Sequence, residues 1–154
     1  MTILISRTDL ARNTRKVIED ARRTGPVVVG SYGEQQAALM DIVDFRLLKA
    51  VAAWQPDPEA PFSNPEAVPA GLTLEEVERE SPAMGRDVQV MWNRIMGEYL
   101  DGNISLGRAA VLLSMSRFEL QDRLNRLDLP IRLGPQTIEE ARQEFEVLKA
   151  LRLK

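Results

Sequence analysis

"ISRTDLARNTRKVIEDARRTGPVVVGSYGEQQAALMDIVDFRLL", residues 5–48, switches repeatedly between helical and strand-like periodicity. Just before it, "TILI" at 2–5 is β-branched and apolar, the composition of a strand. Thr8 then stands as a helix cap with Asp9 in the first turn, where the helix dipole favours a carboxylate. Leu10, Thr14, Val17, Ile18 and Ala21 fall on one helical face, and "GP" at 25–26 ends that helix. "VVVG" at 27–30 reads as a second strand, "SYGE" at 31–34 as a turn, and "QQAALM" at 35–40 as a third strand. Asp41 caps a helix whose expected buried face is Ile42, Phe45, Leu48 and Val51. The predicted order is β-α-β-β-α over residues 1–54. So small a unit buries little surface alone, which predicts a dimer.

Beyond it, "QPDPEAPFSNPEAVPAG" holds five prolines in 17 residues. Residues 55–72 therefore read as an extended linker without packed structure, with a partner-binding segment as the alternative. Residues 73–154 read as all-helical, so the fold class expected for the whole chain is α+β. "TLEEVERE" suggests a short helix, and Ser81-Pro82 a helix start with serine as cap and proline in the first position. The face Val88, Met91, Trp92, Ile95 and Tyr99 carries that helix to Asp101-Gly102.

"NISLGRAAVLLSMSRFELQDRL", 103–124, has the form of a helix-turn-helix. Ser105 caps the first helix, where Ala109 and Ala110 permit a close crossing. Ser116 caps the second, with Glu119 completing a capping box. Leu120, Leu124 and Leu127 face inward, leaving Arg117, Gln121 and Arg123 for the other side. After "LPIRLGP" a last helix is expected, capped by Thr137 and Glu140, with Ile138, Ala141, Phe145, Leu148 and Leu151 as its apolar positions.

The chain has 154 residues, no cysteine and no histidine. Disulfides, thiolate zinc sites and the commonest general base are excluded. The start lacks the features of a signal peptide and no run approaches a membrane span, so a cytoplasmic protein is expected. Charge is uneven. Residues 1–53 carry 8 basic and 6 acidic side chains, 54–101 carry 3 and 10, and 102–154 carry 9 and 7. Two mildly basic ends flank an acidic middle, so the overall charge of −3 says little about whether either end meets phosphate. Glu75, Glu76, Glu78 and Glu80 read as a solvated face rather than a metal site, and no phosphate-binding glycine loop is present. No catalytic residue, metal or cofactor is expected.

Residues 5–48 resemble the prevent-host-death (Phd/YefM) family of antitoxins. The likeness lies in Thr8, Asp9 and Asn13 at the start of the first helix, Gly33 at the turn, "AALM" at 37–40, and Asp44-Phe45-Arg46-Leu47-Leu48 in the last helix. Thr14 replaces the usual leucine, and the turn slips by one residue. The resemblance implies a symmetric dimer that binds its own operator through Ser6, Arg7, Thr8, Arg12 and Asn13, with Arg15 and Lys16 nearby. Arginine, asparagine and helix N-termini suit phosphates and base edges. A solvated basic helix face is the plainer reading of the same residues.

Residues 93–150 are similar to a small bacterial helix-turn-helix family often encoded beside a PIN-like protein. The likeness lies in Gly102, Ile104 to Ala110, Leu112, Met115 to Arg117, Glu119-Leu120, Leu124 and Leu129-Pro130-Ile131. Asp128 stands where that family has glycine. Together the resemblances imply a type II antitoxin that neutralises a toxin, expected to be a PIN-like ribonuclease, and represses its own operon. The toxin contacts would be Arg117, Gln121, Arg142, Phe145, Leu148, Lys149, Leu151 and Arg152. A cation of the last helix, from Arg142, Lys149, Arg152 or Lys154, would enter the toxin's carboxylate cluster and displace its metal. The competing expectation is a transcription regulator with two DNA-reading modules and no toxin.

Overall fold

A computed structural model of the chain describes residues 2–80 and 87–131, and beyond them only Arg142, Phe145, Glu146 and Lys149, which are helical. The described residues form an α+β fold. Its strands are β1 (Ile3–Ser6), β2 (Val27–Ser31) and β3 (Glu34–Leu39). Its helices are α1 (Arg7–Arg12), α2 (Thr14–Thr24), α3 (Ile42–Ala53), α4 (Leu74–Glu80), α5 (Val88–Asp101), α6 (Leu106–Leu112) and α7 (Arg117–Arg126).

The sheet order is β1-β2-β3, with β1 parallel and β3 antiparallel to β2. A parallel pair needs a crossover, which α1 and α2 supply. The antiparallel pair closes through Tyr32 and Gly33, whose φ values of 53° and 81° make the two-residue turn that suits strand twist. Val17 and Ala21 of α2 pack on Val27, with Ile3, Ile5, Leu10 and Leu39 around them. Strand alternation puts the paired row Leu4, Val28 and Ala38 on the opposite face, where Leu4 is 64% exposed.

Three local expectations are corrected here. The first helix is broken in two at Asn13 (φ −126°, ψ 32°), and the Thr14 hydroxyl donates to the Leu10 carbonyl at 2.7 Å just beyond the break. Its cap is Ser6, not Thr8, because the helix springs directly from the end of β1. The Ser6 hydroxyl accepts the Asp9 N–H at 3.0 Å, and the Asp9 carboxylate accepts back from Ser6. In α3 Asp41 is the cap, as its sequence suggests, but the buried face is Asp44, Leu47 and Ala50. Ile42 and Phe45 are exposed, Leu48 is half-buried, and Val51 only edges the core. Both stripes of α3 are apolar enough to bury, and packing along α5 selects the second.

The main core therefore joins α3 to the helices that follow. Leu47 and Ala50 cluster with Val77, Ile95, Tyr99, Ala109 and Leu120. The proline-rich segment is not a free spacer. Trp54 Nε1 donates to Asp101 Oδ1 at 2.8 Å, the Phe62 N–H donates to the Asp101 carbonyl at 2.8 Å, and the Ala70 N–H donates to Asn103 at 3.2 Å. Ala60 and Leu72 are buried, and Phe62 meets Trp54 edge-on. Hydrogen bonds from its exposed backbone to one helix end fasten this segment, a device that composition does not reveal.

α4 is capped by Thr73 and Glu76 reciprocally. The start read at Ser81-Pro82 lies outside the described residues; the described part of α5 has Asp87 as its cap. Three helices then end alike, with a residue in the left-handed region and paired bonds back into the last turn. The residues are Gly102 (φ 88°), Ser114 (φ 61°) and Asp128 (φ 55°). After them, Asn103, Met115 and Leu129 donate to the carbonyls of Glu98, Ala110 and Leu124, each at 2.9 Å. Ser105 and Ser116 cap α6 and α7. Glu119 does not complete a box with Ser116; its carboxylate accepts from Arg123 instead.

Candidate nucleic-acid interface

The end of the sheet assembles the first group of residues. Ser6 pairs with Gly30 in the parallel ladder, so the start of α1 and the β2–β3 hairpin share one end of the fold. Arg7 Nη2 donates to Ser31 Oγ at 3.2 Å across that end. Ser6 and Asp9 close the α1 terminus on themselves. The hydrogen bond from the Ser6 hydroxyl, then that from its backbone, holds the Asp9 carboxyl below its ordinary pKa. The N-terminus of α1 is thus already occupied by a carboxylate and is not the phosphate seat that the sequence suggests. Thr8 is exposed on the same turn.

The second group lies at the α1–α2 break. Arg12, Asn13, Arg15 and Lys16, with Thr14 and Glu19, line an open concavity of about 300 Å³. All seven residues expected to meet DNA are exposed. Four of them are cations. The carboxylates around them include Asp9, committed to its cap, Glu19, paired with Arg15 at 3.3 Å on the surface, and Glu34, which faces Ser31 in the hairpin. A surface pair such as Arg15–Glu19 contributes little and opens easily to a phosphate.

The helix-turn-helix is arranged differently. Arg117 is exposed and Gln121 half-buried. Arg123, expected on the outer face, is turned inward, with its side chain 14% exposed. Its Nη1 donates to Asp44 Oδ1 at 2.7 Å and to Asp41 Oδ1 at 3.0 Å, and its Nη2 to Glu119 at 3.1 Å. Arg126 joins it. Its Nη2 reaches both Asp44 oxygens, at 2.9 and 3.1 Å, and its Nη1 reaches the Arg23 carbonyl at 3.1 Å. Asp44 is fully buried, and Arg22 approaches Asp41 at 3.4 Å from α2. Burial opposes the Arg123 charge, but hydrogen bonds to Asp44 and Glu119 and the charges of Asp44 and Asp41 outweigh it, so its pKa lies above the ordinary arginine value. Gly25 (φ 110°) makes room, since a Cβ there would sit 3.0 Å from Arg126 Cγ.

That cluster removes two of the three cations of α7 from its surface. What remains outside is Arg117, Glu119, Asp122, Asn125 and Phe118, the last 82% exposed. Arg142, Phe145 and Lys149 are helical and exposed; Leu148, Leu151, Arg152 and Lys154 lie outside the described residues. Phe118, Arg126 and Tyr32 join the expected residues, the first and last on the surface and Arg126 in the cluster. The signal for Tyr32 is an aromatic residue in "SYGE", where a tight hairpin favours asparagine or glycine.

Among the described residues no group of three acidic side chains is placed to hold a metal ion, and Glu76 is spent on the Thr73 cap. Among them, too, no helix is long and apolar enough to cross a membrane. No protein-family model, curated protein or solved structure matches the chain. The two resemblances therefore rest on the quoted residues alone.

Proposed function

We propose that the chain is a DNA-binding antitoxin: a homodimer whose N-terminal face holds operator DNA, and whose C-terminal part neutralises a toxin protein and leaves the dimer free to repress its operon. One observation carries the DNA reading. Arg7, Arg12, Asn13, Arg15 and Lys16 are exposed along one short helix–break–helix, where Asp9 is committed to its cap and Glu19 is weakly paired. Phosphate contact there needs no rearrangement of the fold. The dimer is supported by the row Leu4, Val28 and Ala38, of which Leu4 and Ala38 are exposed and Val28 is half-buried, together with exposed Ile42 and Phe45. Apolar surface left open in this way gains by being covered with a second copy.

The surface of α7 favours a protein partner over a second stretch of DNA. With Arg123 and Arg126 engaged inside, Arg117 is its one outward cation against Glu119 and Asp122. Glu119 and Asp122 are themselves paired with Arg123 and Arg126, so this face offers one free cation to a phosphate backbone, whereas an exposed Phe118 beside Arg117 suits a protein interface. Arg142, Phe145 and Lys149 are exposed as well and would be offered to a toxin of the PIN-like ribonuclease class. The alternative of two DNA-reading modules would need α7 to be cationic outward.

The experiment is co-purification with the product of the adjacent gene, followed by light scattering and a nuclease assay. A mixed complex in which nuclease activity is silenced supports the antitoxin reading. A homodimer that shifts its own promoter DNA but binds no partner overturns the toxin half and leaves the repressor.

A further inference from the structure

Among the large hydrophobic side chains of the described residues Tyr32 is the most exposed, at 99%, and it stands at φ 53°. The left-handed region is unfavourable for a bulky residue, and asparagine or glycine would make the same turn with less strain. The tight hairpin imposes that angle, and a side chain 99% exposed gains no packing in return. The hairpin tip projects into open space, since a Cβ on neighbouring Gly33 would meet nothing within 4 Å. A strained, unpacked aromatic residue points to a partner outside the chain.

Its position identifies that partner. Ser31, the residue before it, accepts from Arg7 at 3.2 Å, and Gly30 pairs with Ser6. The tip thus stands beside the cationic end already read as DNA-facing. A two-stranded ribbon fits the major groove of duplex DNA, and a neutral phenol hydroxyl is a good donor to a phosphate oxygen. We propose that Tyr32 is a further DNA-contact residue, whose hydroxyl donates to a backbone phosphate of duplex DNA next to Arg7. This inference rests on the DNA-binding reading above and assigns a role to a residue outside the seven candidates.

The test is fluorescence anisotropy with a labelled duplex from immediately upstream of the reading frame, and a scrambled duplex as control. Full-length protein is compared as wild type, Tyr32→Phe, Tyr32→Asn and Arg12→Ala, with Tm measured on the same samples. Loss of a hydrogen bond to a charged group predicts at least about tenfold weaker binding for Tyr32→Phe. Tyr32→Asn should lose as much or more, while its Tm holds or rises because the turn is relieved. If both Tyr32 variants bind like wild type while Arg12→Ala is weakened, the Tyr32 contact is refuted and the DNA reading stands. Loss in Tyr32→Asn alone overturns the hydroxyl contact. If wild type binds neither duplex, the DNA reading fails and this contact with it.

Discussion

Arg123 of α7 donates to the fully buried Asp44 of α3 at 2.7 Å, tying a helix of the C-terminal half to one of the N-terminal half. Asp44 is shared with Arg126, and Asp41 adds Arg22, so the cluster also reaches α2. Asp44→Ala would leave two largely buried guanidinium groups short of a counter-charge. Breaking a buried pair on one side costs about 3–5 kcal/mol, which urea unfolding would read directly. A loss below about 1 kcal/mol would mean that the arginines find water or other partners and that the clasp is energetically idle.

Asp128 occupies a left-handed position that closes α7. Asp128→Gly should raise stability by about 0.5–1 kcal/mol, the relief of backbone strain less the added freedom of glycine in the unfolded chain. Gly25→Ala should act oppositely, since its φ of 110° and a Cβ at 3.0 Å from Arg126 both oppose the methyl group. Thermal melts of the two variants should move in opposite directions.

The Asp9 carboxyl titrates below its ordinary 3.8 because Ser6 hydrogen-bonds its charged form. A depressed folded-state pKa stabilises above the ordinary value, and that contribution disappears as pH falls through the folded one. The start of α1 should therefore loosen only at acid pH, below about 3.8. An NMR titration of Asp9 checks this, and Ser6→Ala should return the midpoint toward 3.8.

Arg12→Ala should weaken DNA binding almost equally for operator and scrambled duplexes. A lost phosphate contact lowers the slope of log affinity against log salt by roughly 0.9. An unchanged slope would remove Arg12 from the interface.

Asp101 receives Trp54 Nε1, the Asp57 N–H through its side chain, and the Phe62 N–H through its carbonyl. Asp101→Ala should remove the two side-chain bonds and loosen the start of the proline-rich segment while helix α5 and the Phe62 bond to the residue-101 carbonyl persist. Limited proteolysis should then cut within 55–71 several times faster than in wild type. Equal cleavage of the two proteins would mean that the segment is held by the remaining bonds of Phe62 and Ala70 and by packing around Ala60 and Leu72 rather than by the Asp101 side chain.

Local chemistry made much of the fold readable. The strands at 3–6, 27–31 and 34–39, the caps Asp41, Ser105 and Ser116, and the Gly102 stop each follow from residues adjacent in the chain. The misreadings share a physical origin. Asp44 reads as a surface residue because the arginines that make its burial tolerable lie 79 and 82 positions later. Arg123 reads as outward for the same reason. α3 offers two apolar stripes, and only its packing on α5 decides between Phe45 and Leu47. In the candidate DNA interface every residue named from sequence is exposed, because polar helix positions near a strand end have few other places to go. Tyr32 is hidden in the sequence because the glycine of "SYGE" suffices to signal the turn, and nothing local marks the residue beside it as a contact.

The Asp44 cluster bears on how this chain could be recombined. A proline-rich stretch invites cutting and rejoining, and residues 1–54 look like a cassette that could be grafted onto another effector. Such a graft would carry Asp44 into a new protein with no arginines to meet it, and would leave Arg123 and Arg126 stranded in the remainder. Exchange of either half would have to bring its complement of the ion cluster along. The two ends are thus matched to each other as lock and key within one polypeptide, and a change of DNA target or partner is more readily made by altering the outer residues than by swapping the halves.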